Sequence, residues 1–321
     1  MTEAVLGLDT SNYRTSVALV TLGGKILMNF RRLLPVGSGE RGLRQSEAVF
    51  AHLKQLHEAG EELRQVRSSH DVSVRAVAVS DRPRDGAESY MPVFRAGETA
   101  AVLASASLGV PLIRTTHQRG HLMAALYGTV MENDSDILAI HLSGGTTELL
   151  HWYDDRLDLI GGSLDLHAGQ VVDRVGVAMG LGFPAGPELE ALAAEGNSEG
   201  KLGASMEDGD LRCHFSGAEA QADRWIRAGQ MRREDIARDV YDLLARTVIR
   251  MLTAGAAKTG AERALVTGGV AASRLLRDML ETRRKKMRGA PALVFGKPEM
   301  SGDNAVGVAR IGVKAIRSGG M

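Results

Sequence analysis

One short pattern occurs twice in the sequence, and this duplication constrains the fold more than any other feature. Ser11 and Thr15 recur at one constant offset as Ser143 and Thr147, and in both places one apolar run precedes the polar residues and another follows them. Apolar runs that flank a short polar turn predict a strand, a tight turn and an antiparallel strand. Two such hairpins, one at the head of each half, predict two related lobes.

Glycine is concentrated in the second copy of this turn and in one later turn. Gly144 and Gly145 lie in the second hairpin, and Gly268 and Gly269 end a later apolar run. A Ser-Gly-Gly-Thr-Thr segment is also simply a favourable turn sequence. Backbone amides at glycine turns can, however, approach a phosphate closely. Two facing hairpins and a late glycine pair therefore predict a cleft lined by backbone donors.

The order of the predicted elements indicates an α/β chain. Each half begins with three strands joined by short turns and continues with strands and helices, which is typical of a ribonuclease-H-like mixed sheet flanked by helices. A chain of 321 residues is long enough for two domains, because single cores stop growing near about 250 residues. We therefore predict the two-lobed fold of actin-like ATPases and sugar kinases.

The lobe boundaries follow from the position of the second hairpin. We predict that the first lobe spans residues 1–133 and is joined by a C-terminal helix at about 303–321. The second lobe spans residues 134–302 and carries a helical insertion. Residues 196–216 are rich in glycine and polar residues, so we predict an irregular segment there.

Charge and cysteine content narrow the class of protein. The formal net charge is zero, so any RNA site must be a local basic patch. The basic run 283–288 is one candidate, although a basic helix end is usually solvated. Cys213 is the single cysteine, which excludes a disulfide framework and a cysteine-based metal site. With neither a signal peptide nor an apolar run of membrane-spanning length, the sequence predicts a cytoplasmic protein with no membrane partner.

Two histidines provide a candidate metal site. His117 and His121 are four residues apart, which places both imidazoles on one face of a helix and suits two ligands of one divalent metal. The same spacing is also common on half-exposed helix faces. A third ligand must come from elsewhere in the chain, and Asp303, just before the last predicted helix, is the best candidate. Asp303 is equally suited to cap that helix without any metal.

Two further residues are candidates for nucleotide binding. Asp173 lies on a helix that we expect to face the Gly144 turn, where its carboxylate either binds a ribose hydroxyl or pairs with a surface charge such as Arg174. Gly186 lies between two predicted helices, and a helix start there offers free backbone amides.

Taken together, these residues resemble one family. It comprises the threonylcarbamoyl transferases that complete threonylcarbamoyladenosine in tRNA, long described as O-sialoglycoprotein endopeptidases or glycoproteases. The resemblance spans nearly the whole chain and rests on several separated segments in matching order. These segments are residues 117–122, 143–145, 173, 184–187, 215–217, 268–270 and 303–304.

The resemblance implies an activity and a set of site residues. It implies that His117, His121 and Asp303 hold one divalent metal ion, iron or zinc. It implies that an adenylate substrate, or ATP or AMP, binds at Leu142, Ser143, Gly144, Gly145, Thr146, Asp173, Gly186 and Ser273, with Gly268 and Gly269 at the phosphate. The expected reaction transfers threonylcarbamoyl from threonylcarbamoyl-AMP to N6 of adenosine in tRNA. Expected partners are tRNA, an adenylate-forming synthase, accessory subunits and a second copy of the chain.

The sequence departs from the family pattern at several positions. The family has Glu where this chain has Arg14, His where it has Thr146 and Asn where it has Ser273. These departures indicate a divergent paralogue, with an altered acyl donor or acceptor as one possibility.

Other activities stay open as alternatives. The lost Glu and His would permit a regulatory paralogue that binds nucleotide and metal without catalysis. A kinase or ATPase would need a catalytic carboxylate near the γ-phosphate, and neither Asn12 nor Arg14 supplies one. A zinc peptidase of the His-Glu-x-x-His type is disfavoured, because no Glu lies between the two histidines.

Overall fold

The chain divides into two compact units, each described by itself. Unit 1 comprises Met1–Tyr127 and Gly302–Met321, and unit 2 comprises Gly128–Ser301. The structure is a computed structural model that describes residues 1–11, 13–35, 44–86, 88–207, 209, 211–302 and 304–319. None of the helices in these ranges has the length and apolar character needed to cross a membrane.

Unit 1 is built on one mixed sheet with helices on its faces. Within the described residues its strands are β1 (Thr2–Thr10), β2 (Arg14–Thr21), β3 (Ile26–Leu33), β4 (Val72–Arg82) and β5 (Leu112–Thr116). Its helices are α1 (Gln45–His70), α2 (Phe94–Leu108), α3 (His117–Leu126) and α9 (Val306–Arg317). The strand order is β3-β2-β1-β4-β5, with β1, β2 and β3 antiparallel and β4 and β5 parallel to β1.

Glycines allow α9 to lie directly on this sheet. A Cβ atom on Gly7 of β1 would lie 2.6 Å from the backbone nitrogen of Ala309, and a Cβ atom on Gly312 of α9 would lie 2.7 Å from a side-chain carbon of Val5. Neither glycine has a left-handed φ, so close packing is what excludes a side chain. The last helix of unit 1 therefore packs on its first strand.

A second close approach fixes α3 against α9. A Cβ atom on Gly307 of α9 would lie 1.9 Å from the carbonyl oxygen of Gly120, and a Cβ atom on Gly120 of α3 would lie 2.9 Å from a side-chain carbon of Val308. Small residues at a helix crossing let the two backbones approach closely. Gly120 lies between the two candidate metal ligands, so this crossing also fixes the helix that carries them.

Unit 2 repeats the same strand order with additions. Within the described residues its strands are β6 (Ile137–Leu142), β7 (Thr147–Tyr153), β8 (Arg156–Ser163), β9 (Ser205–Glu207), β10 (Arg212–His214), β11 (Arg263–Thr267) and β12 (Ala292–Phe295). The sheet order is β12-β11-β6-β7-β8-β10-β9. The part β8-β7-β6-β11-β12 matches the order of unit 1, as the duplicated hairpin predicts.

Five α-helices surround this sheet in the described part of unit 2. They are α4 (Ala168–Ala178), α5 (Gly186–Ala194), α6 (Ser216–Ala228), α7 (Arg233–Thr259) and α8 (Arg274–Arg284). Short 3-10 helices lie at Val270–Ala272 and Pro298–Met300. Helix α7 is buried along most of its length and forms the centre of the core of unit 2.

The segment predicted to be irregular contains regular structure. Strands β9 and β10 lie within residues 196–216, and β10 pairs in parallel with β8 through Arg212 and Cys213. Helix α6, which follows directly, was not predicted. The irregular interpretation is therefore wrong for 205–207 and 212–214, because neighbouring strands stabilise short segments whose own sequence gives little signal.

Candidate functional site

The two histidines of α3 lie close together at its first turn. His117 is the first residue of α3, and the side chain of Thr116 caps the helix by accepting a hydrogen bond from the amide of Arg119 at 3.3 Å. The Nε2 atoms of His117 and His121 are 2.9 Å apart, and the rings meet edge to face. Both ring nitrogens therefore point to one location.

This geometry fits two nitrogen ligands of one metal ion. Nitrogens bound at the usual distance for zinc lie about 2.8 to 3.4 Å apart in octahedral or tetrahedral coordination. Asp303, the predicted third ligand, lies outside the described residues. Among the residues that are described, no group of three or more His, Cys, Asp and Glu side chains is placed to hold a metal ion. The described residues thus show two imidazole nitrogens at ligand spacing without a complete ligand set.

The side chain of Asn304 bonds to the backbone on both sides of the start of α9. Asn304 Oδ1 accepts a hydrogen bond from the amide of Val306 at 3.2 Å, and Asn304 Nδ2 donates to the carbonyl of Gly302 at 2.7 Å. Asn304 is 4% exposed. These two bonds fix the backbone where α9 begins.

A buried carboxylate contacts the histidine pair. The Oδ2 and Oδ1 atoms of Asp9, at the end of β1, lie 3.0 Å and 3.1 Å from Nδ1 of His117. Asp9 also accepts a hydrogen bond from the hydroxyl of Ser80. Sequence analysis did not identify Asp9, because 108 positions separate it from His117 and only the sheet order brings β1 next to β4 and then β5.

The first hairpin turn is held by a buried histidine of α1. His52 Nε2 lies 2.9 Å from the carbonyl of Ser11, which can only accept, so Nε2 carries the proton and donates. Nδ1 of His52 then accepts from the hydroxyl of Thr15 at 2.7 Å. Burial lowers the pKa of His52, against the opposing effects of the Ser11 carbonyl and the charge of Asp9. The neutral imidazole thus fixes both polar residues of this copy of the motif.

Unit 2 contains a cavity of about 400 Å³ beside the second hairpin turn. Five of the residues predicted for nucleotide binding line it, and they come from four separate segments. They are Gly144, Asp173, Gly186, Gly269 and Ser273. Residues that the sequence analysis did not select also line it, including Gly169, Val172, Glu190 and Tyr241.

Three glycines at this cavity are not explained by the fold. Gly144, Gly186 and Gly269 have no left-handed φ. A Cβ atom on Gly144 or Gly269 would meet no atom within 4 Å, and one on Gly186 would meet only ordinary contact at 3.8 Å. Neither backbone conformation nor packing therefore requires glycine at these positions. A ligand that approaches the backbone closely does account for it.

Two carboxylates and a tyrosine are among the polar groups of the cavity, together with Ser273. Asp173 Oδ1 accepts from the amide of Ala185 at 2.8 Å, and Glu190 Oε1 accepts from the amide of Leu275 at 2.9 Å. These bonds hold both carboxylates at the cavity wall. The hydroxyl of Tyr241 donates to the carbonyl of Gly186 at 3.2 Å, and burial together with the charge of Glu190 raises its pKa. Tyr241 therefore remains a neutral donor.

The other residues predicted for nucleotide binding form the second hairpin turn or contact it. Ser143 Oγ lies 2.8 Å from Thr146 Oγ1 and accepts from the amide of Thr146 at 3.1 Å, which closes the turn. Leu142 is fully buried in the core. Gly268 has a φ of +103°, and a Cβ atom there would lie 2.2 Å from the carbonyl oxygen of Leu142. None of these residues, nor Gly145, lines the described cavity.

Part of the basic run 283–288 is engaged in ion pairs. Arg283 forms a salt bridge with Asp242 of α7, and Arg284 Nε lies 2.9 Å from a carboxylate oxygen of Glu281. These two cations are paired within unit 2, which agrees with the interpretation of the run as a helix terminus.

Asp165 organises the segment between β10 and α6. Its carboxylate accepts from the amides of Phe215 at 2.7 Å and Ser216 at 3.1 Å, and also from the Ser216 hydroxyl and the Leu166 amide. Partial burial acts to raise the pKa of Asp165, but these four hydrogen bonds outweigh it and lower the pKa from 3.8 to about 2. Asp165 thus acts as a cap for α6 from a distant part of the chain.

Replacing Asp165 with asparagine is expected to lower the free energy of unfolding at pH 7 by about 1–2 kcal/mol, as for a lost helix cap. The folded-state pKa lies below the unfolded value, so the wild type has this stability above about pH 4 and loses it as the pH falls toward 2. Urea unfolding at pH 7 and pH 3 checks both parts. Asp223→Asn, which removes a half-buried charge from an i,i+4 pair, serves as the control. A variant as stable as wild type at pH 7 would contradict the assignment.

Comparison with known proteins identifies one family across most of the chain. The family model TsaD, described as tRNA N6-adenosine threonylcarbamoyltransferase, matches residues 45–309. The protein of that name from Methanopyrus kandleri is 30% identical over 312 residues, covering 96% of this chain and 86% of the relative. The one from Thermofilum pendens is 28% identical over 315 residues, covering 98% and 90%.

Solved structures support the fold. HypF from T. kodakarensis aligns with a TM-score of 0.63 and 15% identity, over 99% of this chain and 48% of that chain. This chain thus spans about half of HypF. A ROK family glucokinase from Streptomyces griseus, in complex with glucose and AMPPNP, aligns with a TM-score of 0.53 and 16% identity, over 96% and 98%. The predicted fold of actin-like ATPases and sugar kinases is confirmed.

Proposed function

Because this chain belongs to the TsaD family of tRNA N6-adenosine threonylcarbamoyltransferases, we propose that it transfers threonylcarbamoyl from an acyl-adenylate to N6 of an adenosine in tRNA. The observation that carries the proposal is the cavity of unit 2, where glycines that the fold does not require face two fixed carboxylates. A nucleoside monophosphate matches this set of groups, because it presents both an anion and neighbouring hydroxyls.

The ribose and the phosphate of the adenylate each have matching groups in the cavity. Asp173 and Glu190 are acceptors for the two ribose hydroxyls, since each carboxylate has one oxygen beyond the one bound to a backbone amide. The phosphate would lie at the backbone of Gly144 and Gly269, where no side chain intervenes. The cavity of about 400 Å³ is within the range of small-molecule sites.

The transfer itself needs little acid–base chemistry from side chains. The N6 amine attacks the carbamate carbonyl, a new C–N bond forms, the bond from carbonyl carbon to phosphate oxygen breaks, and AMP leaves with its electron pair while the amine loses a proton. We propose His117 and His121 as ligands of one divalent metal, with Asp303 as the third. A bound metal would act as a Lewis acid toward the carbonyl oxygen.

The test supplies threonylcarbamoyl-AMP and unmodified tRNA to the purified chain, with the synthase and accessory subunits of a family system added. We expect AMP release that depends on tRNA, and the modified nucleoside in the digested tRNA by mass spectrometry. Phosphate release from ATP without tRNA would instead support a kinase or ATPase. Bound nucleotide without any modified nucleoside, even with all partners present, would overturn the transferase proposal.

Adding a methyl group at the phosphate position is expected to weaken AMP binding without affecting folding. Gly144→Ala and Gly269→Ala place a Cβ atom in open space, where it would displace the phosphate from charge-assisted backbone hydrogen bonds. Such bonds contribute about 1.5–3 kcal/mol, so the dissociation constant should rise about 10- to 100-fold. Isothermal titration with AMP measures it.

The control for this experiment is Gly203→Ala, an exposed position outside the cavity where a Cβ atom also meets nothing within 4 Å. All three variants should unfold at the wild-type temperature. Unchanged AMP affinity in both cavity variants would place the phosphate elsewhere.

A nucleotide-binding protein without transferase activity is the second candidate. Two positions that depart from the family pattern favour it. The Thr146 hydroxyl is bonded to Ser143 within the turn, where the family has a histidine. Arg14 lies beside Gly302, because its Nη1 atom would be 3.3 Å from a Cβ atom built on that glycine. Unchanged AMP binding together with absent transfer would identify this second function.

A further inference from the structure

We propose that Asp9 is a positioning residue that orients His117 and fixes which of its ring nitrogens carries the lone pair for a metal ion. This inference rests on the proposed metal-binding role of His117. Asp9 lies in the described interior of unit 1, is 1% exposed, and contacts the histidine with both carboxylate oxygens at 3.0 Å and 3.1 Å.

The contact determines the tautomer of His117. A carboxylate accepts hydrogen bonds, so Nδ1 of His117 carries a proton and donates it to Asp9. Nε2 of the neutral ring then carries the lone pair, and it lies 2.9 Å from Nε2 of His121. Histidines that bind metals commonly donate their second ring N–H to a carboxylate in this way, which fixes the ring and increases its basicity.

The adjacent strand also holds Asp9 in place. Asp9 is the next-to-last residue of β1, and Ser80 lies near the end of the adjacent parallel strand β4. The Ser80 hydroxyl, fully buried, donates to Asp9 Oδ1. His117 follows β5, the next strand in the sheet. Three adjacent strand ends thus place a hydroxyl, a carboxylate and an imidazole in one hydrogen-bonded row.

A neighbouring carboxylate shows a different arrangement. Asp81 follows Ser80 on β4, and its carboxylate pairs with Arg82 at 2.7 Å and Arg114 at 3.3 Å. Buried carboxylates are normally balanced by such cations. Asp9 instead contacts an imidazole and a hydroxyl, as expected for a carboxylate that orients a metal-binding histidine. Asp81 therefore offers a matched control.

The first test measures zinc affinity of the full-length chain in the absence of nucleotide, by competition with a chromophoric chelator. Asp9→Asn keeps the shape but removes the charge, and it should weaken zinc binding about 10- to 100-fold, as other changes behind metal ligands do. Ser80→Ala should weaken it less, because the carboxylate remains. Asp81→Asn should bind zinc like wild type. Wild-type affinity in Asp9→Asn, or an equal loss in Asp81→Asn, would overturn the inference.

The second test does not depend on metal. Nitrogen and carbon chemical shifts of labelled imidazoles, assigned with a His117→Ala sample, report the tautomer of His117 in the metal-free chain. We expect the Nδ1–H tautomer in wild type and a mixture of tautomers in Asp9→Asn. The Nε2–H tautomer in wild type would overturn the inference. If wild type shows the Nδ1–H tautomer but binds no metal, the metal proposal fails while the positioning contact stands.

Discussion

Replacing Gly307 with alanine is expected to prevent unit 1 from folding. A Cβ atom at this position would lie 1.9 Å from the carbonyl oxygen of Gly120 and 2.6 Å from the amide nitrogen of Ala124, both backbone atoms of α3. No rotamer change relieves such contacts, so α3 and α9 would have to separate. We expect a cost of more than about 4 kcal/mol, a large part of the 5–15 kcal/mol by which proteins are stable.

Thermal unfolding and soluble yield measure this effect. Gly60→Ala is the matched control, because Gly60 lies exposed within α1 and a Cβ atom there meets nothing within 4 Å. That substitution should raise stability by about 0.5–1 kcal/mol, since alanine favours the helix. If Gly307→Ala unfolds at the wild-type temperature, the close crossing of α3 and α9 is not present in the folded protein.

Replacing His117 with alanine is expected to abolish both metal binding and transfer. The Nε2 atoms of His117 and His121 are 2.9 Å apart. Removing a proposed direct ligand should reduce metal affinity by more than the about 10- to 100-fold expected when a supporting residue is lost. Metal content by mass spectrometry should fall from one ion per chain to none. Product formation should fall below detection in the tRNA assay, because the variant lacks a residue that would hold the proposed Lewis acid.

The control replaces another histidine of unit 1. His57 is exposed on α1, and His57→Ala should keep both the metal and the activity. AMP binding in the cavity of unit 2 should be unchanged in both variants, since all the residues that line it belong to that unit. Full activity of His117→Ala without bound metal would refute a catalytic role for the ion.

The repeated hairpin made much of the fold predictable. Ser11 and Thr15 in unit 1 and Ser143 and Thr147 in unit 2 occupy the same positions at the ends of equivalent strands. The hydroxyls of both threonines hold a neighbouring helix, since Thr15 bonds to His52 of α1 and Thr147 accepts from the first amide of α4 at 2.8 Å. Local sequence carries this information because the polar residues are required at a turn between two buried strands.

Interactions between distant segments were not predictable in the same way. Asp9 and His117, or Asp165 and Ser216, meet only because the strands between them are ordered as they are. Helix α6 was missed for a different reason. Among its residues only Ala218 and Ala222 are buried, and such small side chains give a weak apolar pattern. At the cavity, Glu190 was overlooked because its position at the wall depends on a hydrogen bond from the amide of Leu275, which is distant in sequence.

The discontinuity of unit 1 has a consequence for synthesis on the ribosome. Strand β1 is made first, but α9, the helix that packs on it through Gly7 and Gly312, is made after the whole of unit 2. Domains usually fold as they emerge from the ribosome. Here, however, helix α3, which carries the two histidines, can pack against α9 only after α9 has been synthesised. A nascent chain stalled before Val306 would present an uncovered apolar sheet to chaperones, while the later-made unit 2 already has every element it needs.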